Sequence, residues 1–251
     1  RSNNLWLGSE NKGVFIYRKQ ADSTYTIENF NTKNGLPSNQ IQHIIINKNH
    51  IWLTTKNSGI LKLNYDFENN SITSILRFNK SNGLKDTQIT TTTFHDNKIW
   101  YTTKNGALGY IENNSVVQYA NILKQQSPIT ALAFTKSNVF LGTQGKGLWK
   151  VSTDNLNSSP TRIDRTNLAS QNIRQLLIDD NNLWVGTDRG LDKLNLQNNT
   201  IVKSTHYNAN DGFTNVETSS VAIKDSQNTL WFGTNSGITK YIPTENKVNI
   251  T

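Results

Sequence analysis

Few side chains in this sequence have the type and spacing that catalysis requires. The four histidines form neither an HxH nor an HxxxH pattern, so we expect no metal site. The chain has no cysteine, no Gly-x-Ser-x-Gly elbow and no phosphate-binding loop, which removes the usual nucleophile and nucleotide motifs. Its 18 acidic residues lie mostly in turns, and no carboxylate pair for glycoside hydrolysis can be nominated. We predict no catalytic residue and no cofactor.

Polar side chains at the beginning of short apolar runs are better candidates for binding. Amide and guanidinium groups suit the hydroxyls and carboxylates of sugars. Capping of the preceding loop is the competing interpretation for each of them. The predicted ligand-binding residues are Asn39, Gln40, Gln88, Asn172, Arg174, Asn215 and Glu217.

A repeated phrase positions these candidates: aliphatic, aromatic, aliphatic or aromatic, Gly or Thr, then Ser or Thr. Its clearest copy is residues 183–187, LWVGT, and a glycine follows six or seven residues after each aromatic. The aromatics recur every 40 to 48 residues, a period typical of propeller blades. The six aromatics are Trp6, Trp52, Trp100, Phe140, Trp184 and Trp231.

The repeat predicts an all-β fold, a β-propeller of four-stranded blades. Six blade motifs are visible, and we expect a seven-bladed ring whose missing part precedes Arg1. The chain is expected to be one domain, residues 1–251, within a longer sensor protein, with Lys247–Ile250 as the last outer strand. A hydrophobic content of 34% and a mean hydropathy of −0.59 suit thin apolar layers between blades. The motifs lie near residues 5–30, 41–78, 89–119, 129–163, 173–205 and 219–250.

Aromatic residues divide into regular and irregular ones. An aromatic that recurs in every blade performs the same task in each, which we interpret as packing between sheets rather than sugar stacking. Trp149, Tyr101 and Tyr207 fall outside this pattern and are candidates for ligand contact. Trp149 stands where other copies have Phe15, Leu61, Leu108, Asp192 and Thr239.

The positive charge of the chain is dispersed. A net charge of +8 and a pI near 9.5 favour anionic partners, but no block of consecutive Lys and Arg indicates nucleic acid. A Lys recurs at the third position of the strand after the repeated glycine, and we expect it to point outward with its stem on the sheet. These residues are Lys62, Lys150, Lys193 and Lys240.

Residues 34–41, NGLPSNQI, combined with residues 183–191, LWVGTDRGL, resemble the two-component-regulator propeller repeat. The fourth copy departs from it, with Phe140 in place of Trp. Residues 211–243 are similar to the last blade of that family. The resemblance implies a non-enzymatic periplasmic sensor of bacterial hybrid two-component systems, whose members mostly bind oligosaccharides.

The same resemblance implies partners. An immunoglobulin-like domain, a transmembrane helix and a kinase would follow in the same chain, and pairing with a second copy is a further assembly to consider. We expect the oligosaccharide to be acidic rather than neutral, because of the charge of the chain. The alternatives are a lyase-type propeller enzyme and a structural or protein-interaction propeller.

Overall fold

The protein is described in a computed structural model, which covers residues 4–48, 50–123, 127–163, 168–198, 200–213 and 217–242. Regular structure in these residues consists of 22 β-strands and two short 3-10 turns, Lys80–Asn82 and Ala209–Asp211. No helix in this part of the chain is long and apolar enough to cross a bilayer. The chain divides into two compact units, residues 1–118 and 119–251.

Each unit contains small antiparallel sheets of consecutive strands. Sheets 1 to 3 consist of β1 (Leu5–Gly8), β2 (Val14–Lys19) and β3 (Tyr25–Phe30); β4 (Ile41–Asn47), β5 (His50–Thr55), β6 (Gly59–Asp66) and β7 (Ser71–Phe78); and β8 (Ile89–His95), β9 (Lys98–Thr103), β10 (Ala107–Glu112) and β11 (Ser115–Asn121). Sheets 4 to 6 consist of β12 (Ile129–Phe134), β13 (Asn138–Thr143), β14 (Leu148–Ser152) and β15 (Thr161–Arg162); β16 (Ile173–Asp179), β17 (Asn182–Thr187), β18 (Gly190–Gln197) and β19 (Thr200–Tyr207); and β20 (Thr218–Lys224), β21 (Leu230–Thr234) and β22 (Gly237–Tyr241). The predicted all-β fold of blade-like sheets is confirmed.

The repeated Thr and Gly form a hydrogen-bonded clamp at the end of the aromatic strand. Thr187 Oγ1 donates to the carbonyl of Gly190 at 3.0 Å, and Thr55 Oγ1 donates to that of Gly59, also at 3.0 Å. Gly59 has φ +82°, and a Cβ there would lie 2.1 Å from the carbonyl oxygen of Phe78. Only glycine accommodates that backbone, so the phrase encodes the turn that pairs the second and third strands of a blade.

Apolar layers between neighbouring sheets form the core of unit 1. Trp6 of sheet 1 packs with Ile51 and Leu63 of sheet 2. Trp52 of sheet 2 lies in the next layer, together with Ile99 of sheet 3. The repeated aromatic of each of these sheets therefore faces the sheet that follows.

Unit 2 repeats this arrangement. Phe140 of sheet 4 lies with Ile173 and Leu183 of sheet 5. Trp184 of sheet 5 is 1% exposed and packs against Phe232 of sheet 6, with 5.3 Å between ring centroids. Burial of a large aromatic ring in such a layer contributes several kcal/mol to stability, about 3–5 kcal/mol by the usual truncation values.

Two sheet faces are not covered by the described residues. Sheet 1 exposes Leu5, Leu7 and Ile27 on the face opposite to Trp6, and sheet 6 exposes Val221 and Ile223 beside Trp231. A seventh blade, for which such faces are suited, remains a prediction.

The first residue after the repeated glycine differs in exposure between blades: Leu191 is buried, but Ile238 is 68% exposed. Ile238 lies on the same face as Trp231, against which no described sheet packs. The predicted outer strand Lys247–Ile250 lies outside the described residues, and a single 1–251 domain stays a prediction.

Candidate functional site

Three of the predicted ligand-binding residues, Gln40, Gln88 and Glu217, occupy equivalent places in their blades. In sheets 2, 3 and 6, the residue that follows the repeated Ser or Thr donates its backbone N–H to the carbonyl of the residue that directly precedes the first strand of the sheet. Lys56 bonds Gln40 at 3.1 Å, and Lys104 bonds Gln88 at 2.8 Å. In sheet 6, the corresponding bond to Glu217 measures 3.1 Å.

The candidates in unit 1 hold their own loops. Asn39 Oδ1 accepts the N–H of Thr32 at 2.8 Å, which is the capping role that competed with ligand binding. Gln40 and Gln88 are exposed, and Gln88 Nε2 reaches only Asn57 Oδ1, at 3.4 Å. Within the described part of unit 1, no hydrogen bond or ion pair joins these three side chains, and they do not build a site.

Three candidates in unit 2 make polar contacts: Asn172 with Asp188, and Arg174 with Glu217. We name these four residues, together with Gln175, the chain neighbour of Arg174, the Arg174 cluster. The Arg174 guanidinium pairs with Glu217 Oε1 at 2.6 Å. Asn172 Nδ2 donates to Asp188 Oδ2 at 3.1 Å. Asn215, the remaining prediction in this unit, lies outside the described residues.

A β-bulge positions Arg174. The pairing of β16 with β17 skips one residue between Ile173 and Gln175, and Arg174 is the extra residue. Bulges re-aim side chains and are frequent beside functional sites. The equivalent bulge in sheet 4 holds Thr130, whose hydroxyl donates to the carbonyl of Ile173 at 2.5 Å in the neighbouring sheet. The same backbone device thus serves packing in one blade and presents a charge in the next.

Several polar atoms of the Arg174 cluster are buried without a partner among the described residues. Gln175 is 2% exposed, and neither its Oε1 nor its Nε2 is hydrogen-bonded. Arg174 Nε and Asp188 Oδ1 are also buried and have no hydrogen-bond partner among the described residues. Buried polar groups are nearly always hydrogen-bonded, to protein or to water or ligand, so this cluster has unused donors and acceptors.

Hydrogen bonds and charge keep Asp188 ionised. Burial opposes ionisation, but hydrogen bonds from Ser170 and Asn172 and the charge of Arg174 hold the pKa of Asp188 below its ordinary value. One guanidinium and two carboxylates leave the cluster with a formal charge of −1. Arg174 is already paired, so the cluster suits hydroxyl groups better than a ligand carboxylate.

Sequence reasoning missed Gln175 and Asp188. Gln175 interrupts the apolar run 173–178, IRQLLI, which is the signal that could have been used. It lies against Gly186, where a Cβ would stand 2.3 Å from Gln175 Cγ. Asp188 follows the repeated phrase at a turn position that varies among the blades.

The three irregular aromatics differ in access. Tyr101 is fully buried and donates to Gln118 Oε1 at 3.1 Å, so no ligand can contact its ring, and burial raises its pKa. Tyr207 stacks on Trp184 at 5.7 Å, and burial together with Tyr241 raises its pKa to about 12. Trp149 is half-buried and lines a pocket.

Asp225 closes the long turn of sheet 6. Its Oδ1 accepts the N–H groups of Gln227 and Thr229 at 2.8 and 2.9 Å, and its Oδ2 accepts Trp231 Nε1 at 2.8 Å. These bonds lower the pKa of Asp225. In the described ranges, no group of three or more His, Cys, Asp or Glu is placed to hold a metal ion.

Comparison with known proteins gives the repeat a family. Residues 167–189, which include Asn172, Arg174, Gln175 and Asp188, match the two-component regulator propeller family. No curated protein matches the chain.

Solved structures share the fold. An extracellular domain assigned to a hybrid two-component system of B. thetaiotaomicron aligns with TM-score 0.65 and 23% identity, over 94% of this chain and 31% of its own. A second extracellular domain, assigned to a one-component system of the same organism, aligns with TM-score 0.66 and 21% identity over the same shares. The computationally designed protein Ika8 aligns with TM-score 0.61 and 16% identity, over 100% of this chain and 72% of its own.

This chain spans 31% of the length of the two bacterial domains. Identities below a quarter support the fold alone. The described residues therefore form an all-β structure of six blade-like sheets, and residues 167–189 match the two-component regulator propeller family.

Proposed function

We propose that the chain is a non-enzymatic, ligand-sensing propeller domain of a two-component regulator, located in the periplasm. Its ligand is an oligosaccharide, and the signal leaves through the C-terminal side toward an immunoglobulin-like domain and a kinase. The family match and the extracellular placement of the similar bacterial domains support the sensing role and the location.

The Arg174 cluster carries the proposal for the ligand. It presents carboxylate and amide oxygens together with amide and guanidinium N–H groups, and several of these atoms have no partner in the described chain. A pyranose offers adjacent hydroxyls that both donate and accept, so it satisfies such a mixed set. The Glu217 carboxylate is already engaged by the Arg174 guanidinium at 2.6 Å, which favours a role in binding.

Calorimetry with neutral oligosaccharides tests the binding part. The probes are cello-, xylo- and manno-oligosaccharides, titrated into the wild-type chain, Asn172→Ala and Gln175→Leu. Loss of one hydrogen-bonding side chain should weaken binding by about tenfold or more, since such a bond is worth about 1–3 kcal/mol when its partner is left buried.

Gln88→Ala is the matched control, because Gln88 occupies the equivalent place outside the cluster. Its affinity should equal that of the wild type. Binding that is unchanged in both cluster variants would remove the site from consideration. Turnover of a probe that depends on Glu217 would replace the sensor with an enzyme.

Signalling requires that the ligand shift a conformational equilibrium, which it can do only through different affinities for two states. A reporter driven by the full-length protein in its own host should respond to the probe that binds, and Asn172→Ala should raise the ligand concentration needed. A response that persists unchanged in a variant with lost binding would contradict the assignment.

A further inference from the structure

Unit 2 contains a second candidate site, a pocket of about 130 Å³ that is partly open to solvent. Trp149 and Pro160 are among its apolar walls, and Lys146, Ser127 and Ser159 supply its polar ones. It lies between the β13–β14 turn and the segments that precede β12 and β15.

The Trp149 ring is held in place. Its Nε1 donates to the carbonyl of Lys146 at 3.0 Å, and the residue is paired with Leu141 on one side and Arg162 on the other. An aromatic that is fixed by a hydrogen bond loses little conformational entropy when a ligand stacks on it. The position is polar or aliphatic in three other blades, where Asp192, Leu61 or Thr239 stands, so the repeat does not require a Trp here.

The rim of the pocket is positive. Lys146 is exposed and has no carboxylate partner among the described residues. Arg162, the cross-strand neighbour of Trp149, donates to Gln171 Oε1 at 3.1 Å. Ser159 is exposed, and Ser127 donates to the carbonyl of Gln144 at 3.0 Å while its oxygen can still accept.

We propose that this pocket binds a carboxylated pyranose, a uronic acid unit at the end of an oligosaccharide. The apolar C–H face of the sugar stacks on Trp149, the carboxylate pairs with Lys146, and ring hydroxyls bond the serines. This deepens the proposed function and depends on it for the saccharide nature of the ligand. The acidic group is recognised at Lys146 rather than at Arg174, whose guanidinium already pairs with Glu217.

A backbone hydrogen bond connects the segment that carries Lys146 to the segment that carries Asn172. The backbone N–H of Gly147, next to Lys146, donates to the carbonyl of Gln171 at 2.9 Å. The next residue, Asn172, belongs to the cluster. One oligosaccharide with an acidic end and a neutral neighbour therefore has complementary groups at both places.

Calorimetry with digalacturonate and its dimethyl ester tests the inference. The wild type should bind the acid about tenfold or more tightly than the ester, and the preference should fall with added salt. Lys146→Gln should remove the preference, and Trp149→Ala should weaken both ligands by about tenfold or more. Lys136→Gln, at the other end of the same hairpin, removes one charge from the chain and should leave both affinities unchanged.

Other outcomes separate the two proposals. If Lys146→Gln loses digalacturonate binding but binds neutral oligosaccharides normally, the result supports both the Arg174 cluster and the pocket as binding sites. Normal digalacturonate binding in folded Trp149→Ala and Lys146→Gln overturns the pocket and leaves the Arg174 cluster untouched. Binding of phenylacetate at the same affinity as digalacturonate would overturn the saccharide and indicate an aromatic acid.

Discussion

Lys193 lies over the indole of Trp184, with its Nζ 5.1 Å from the ring centroid, and is the directly paired residue on the adjacent strand. The same pairing joins Lys62 to Trp52 at 5.5 Å. Cation–π contact and coverage of the ring edge explain why a Lys recurs at this position. Lys240 likewise lies 5.3 Å from the ring centroid of Trp231, so in sheets 2, 5 and 6 this position places a positive charge over the repeated Trp.

Truncation of Trp184 should destabilise the protein strongly. Trp184→Ala removes a 1% exposed ring from the layer between sheets 5 and 6, and the unfolding free energy in urea should fall by about 3–5 kcal/mol. Lys193→Ala should cost only about 0.5–1 kcal/mol. A Trp184→Ala protein with wild-type stability would contradict the packing role of the repeated aromatic.

Replacement of the Thr of the Thr–Gly clamp by the isosteric Val should destabilise the protein. Thr187 is fully buried; its Oγ1 donates to Gly190 O at 3.0 Å and accepts the N–H of Arg189 at 3.1 Å. Thr187→Val leaves both backbone groups without that partner and should lower the unfolding free energy by about 1–3 kcal/mol. Thr200→Val, on an exposed strand position of the same sheet, should change it by less than about 0.5 kcal/mol.

His43 should make stability pH-dependent. Burial lowers its pKa from 6.5 to about 4, so the unfolded chain takes up a proton at a higher pH than the folded one. The unfolding free energy is therefore highest above pH 6.5, where His43 is neutral in both states. It should fall by up to about 3 kcal/mol as the pH falls toward 4.

The measurement compares urea unfolding of the wild type and His43→Gln at intervals between pH 4 and pH 7.5. The difference between their unfolding free energies should shrink as the pH falls. Parallel curves over this interval would show that His43 titrates normally in the folded protein.

Removal of the Glu217 carboxylate should change charge selectivity at the Arg174 cluster. Glu217→Gln leaves Arg174 without its 2.6 Å partner and brings the formal charge of the cluster from −1 to 0. Because both side chains are more than a third exposed, the stability should change by less than about 1 kcal/mol.

Binding of an acidic oligosaccharide should strengthen in Glu217→Gln, and the gain should shrink in high salt. Calorimetry at two salt concentrations measures it. An acidic ligand that binds this variant more weakly than the wild type would show that Glu217 itself contacts the ligand.

Local sequence predicted the blades because each blade is specified locally. The Thr–Gly turn, the positive φ of Gly59 and the aromatic that faces the next sheet all lie within a few residues of one another. Ile238 shows the limit of the same pattern: its phrase is regular, but its exposure depends on whether another sheet covers it.

The candidate site was harder to predict because its contacts are distant in sequence. Arg174 and Glu217 belong to different sheets, and neither neighbourhood indicates that they form an ion pair. The burial of the Gln175 side chain depends on the register of the bulge and on the absence of a side chain at Gly186, and neither is evident from the local sequence. The sequence singles out Trp149 as an irregular aromatic. It does not indicate the pocket, because Pro160, which lines it, lies in the long segment between β14 and β15.

The Thr–Gly clamp also bears on how such a chain can have arisen. Each clamp closes within its own blade, and in sheets 2 to 6 the first strand begins at a comparable distance before its aromatic. A duplicated gene segment of one repeat length, 40 to 48 residues, therefore carries a complete set of its own turn hydrogen bonds. Only the layer residues must then adapt to a new neighbour, which leaves the bulge and turn positions, such as Arg174 and Asp188, open to diverge toward new ligands.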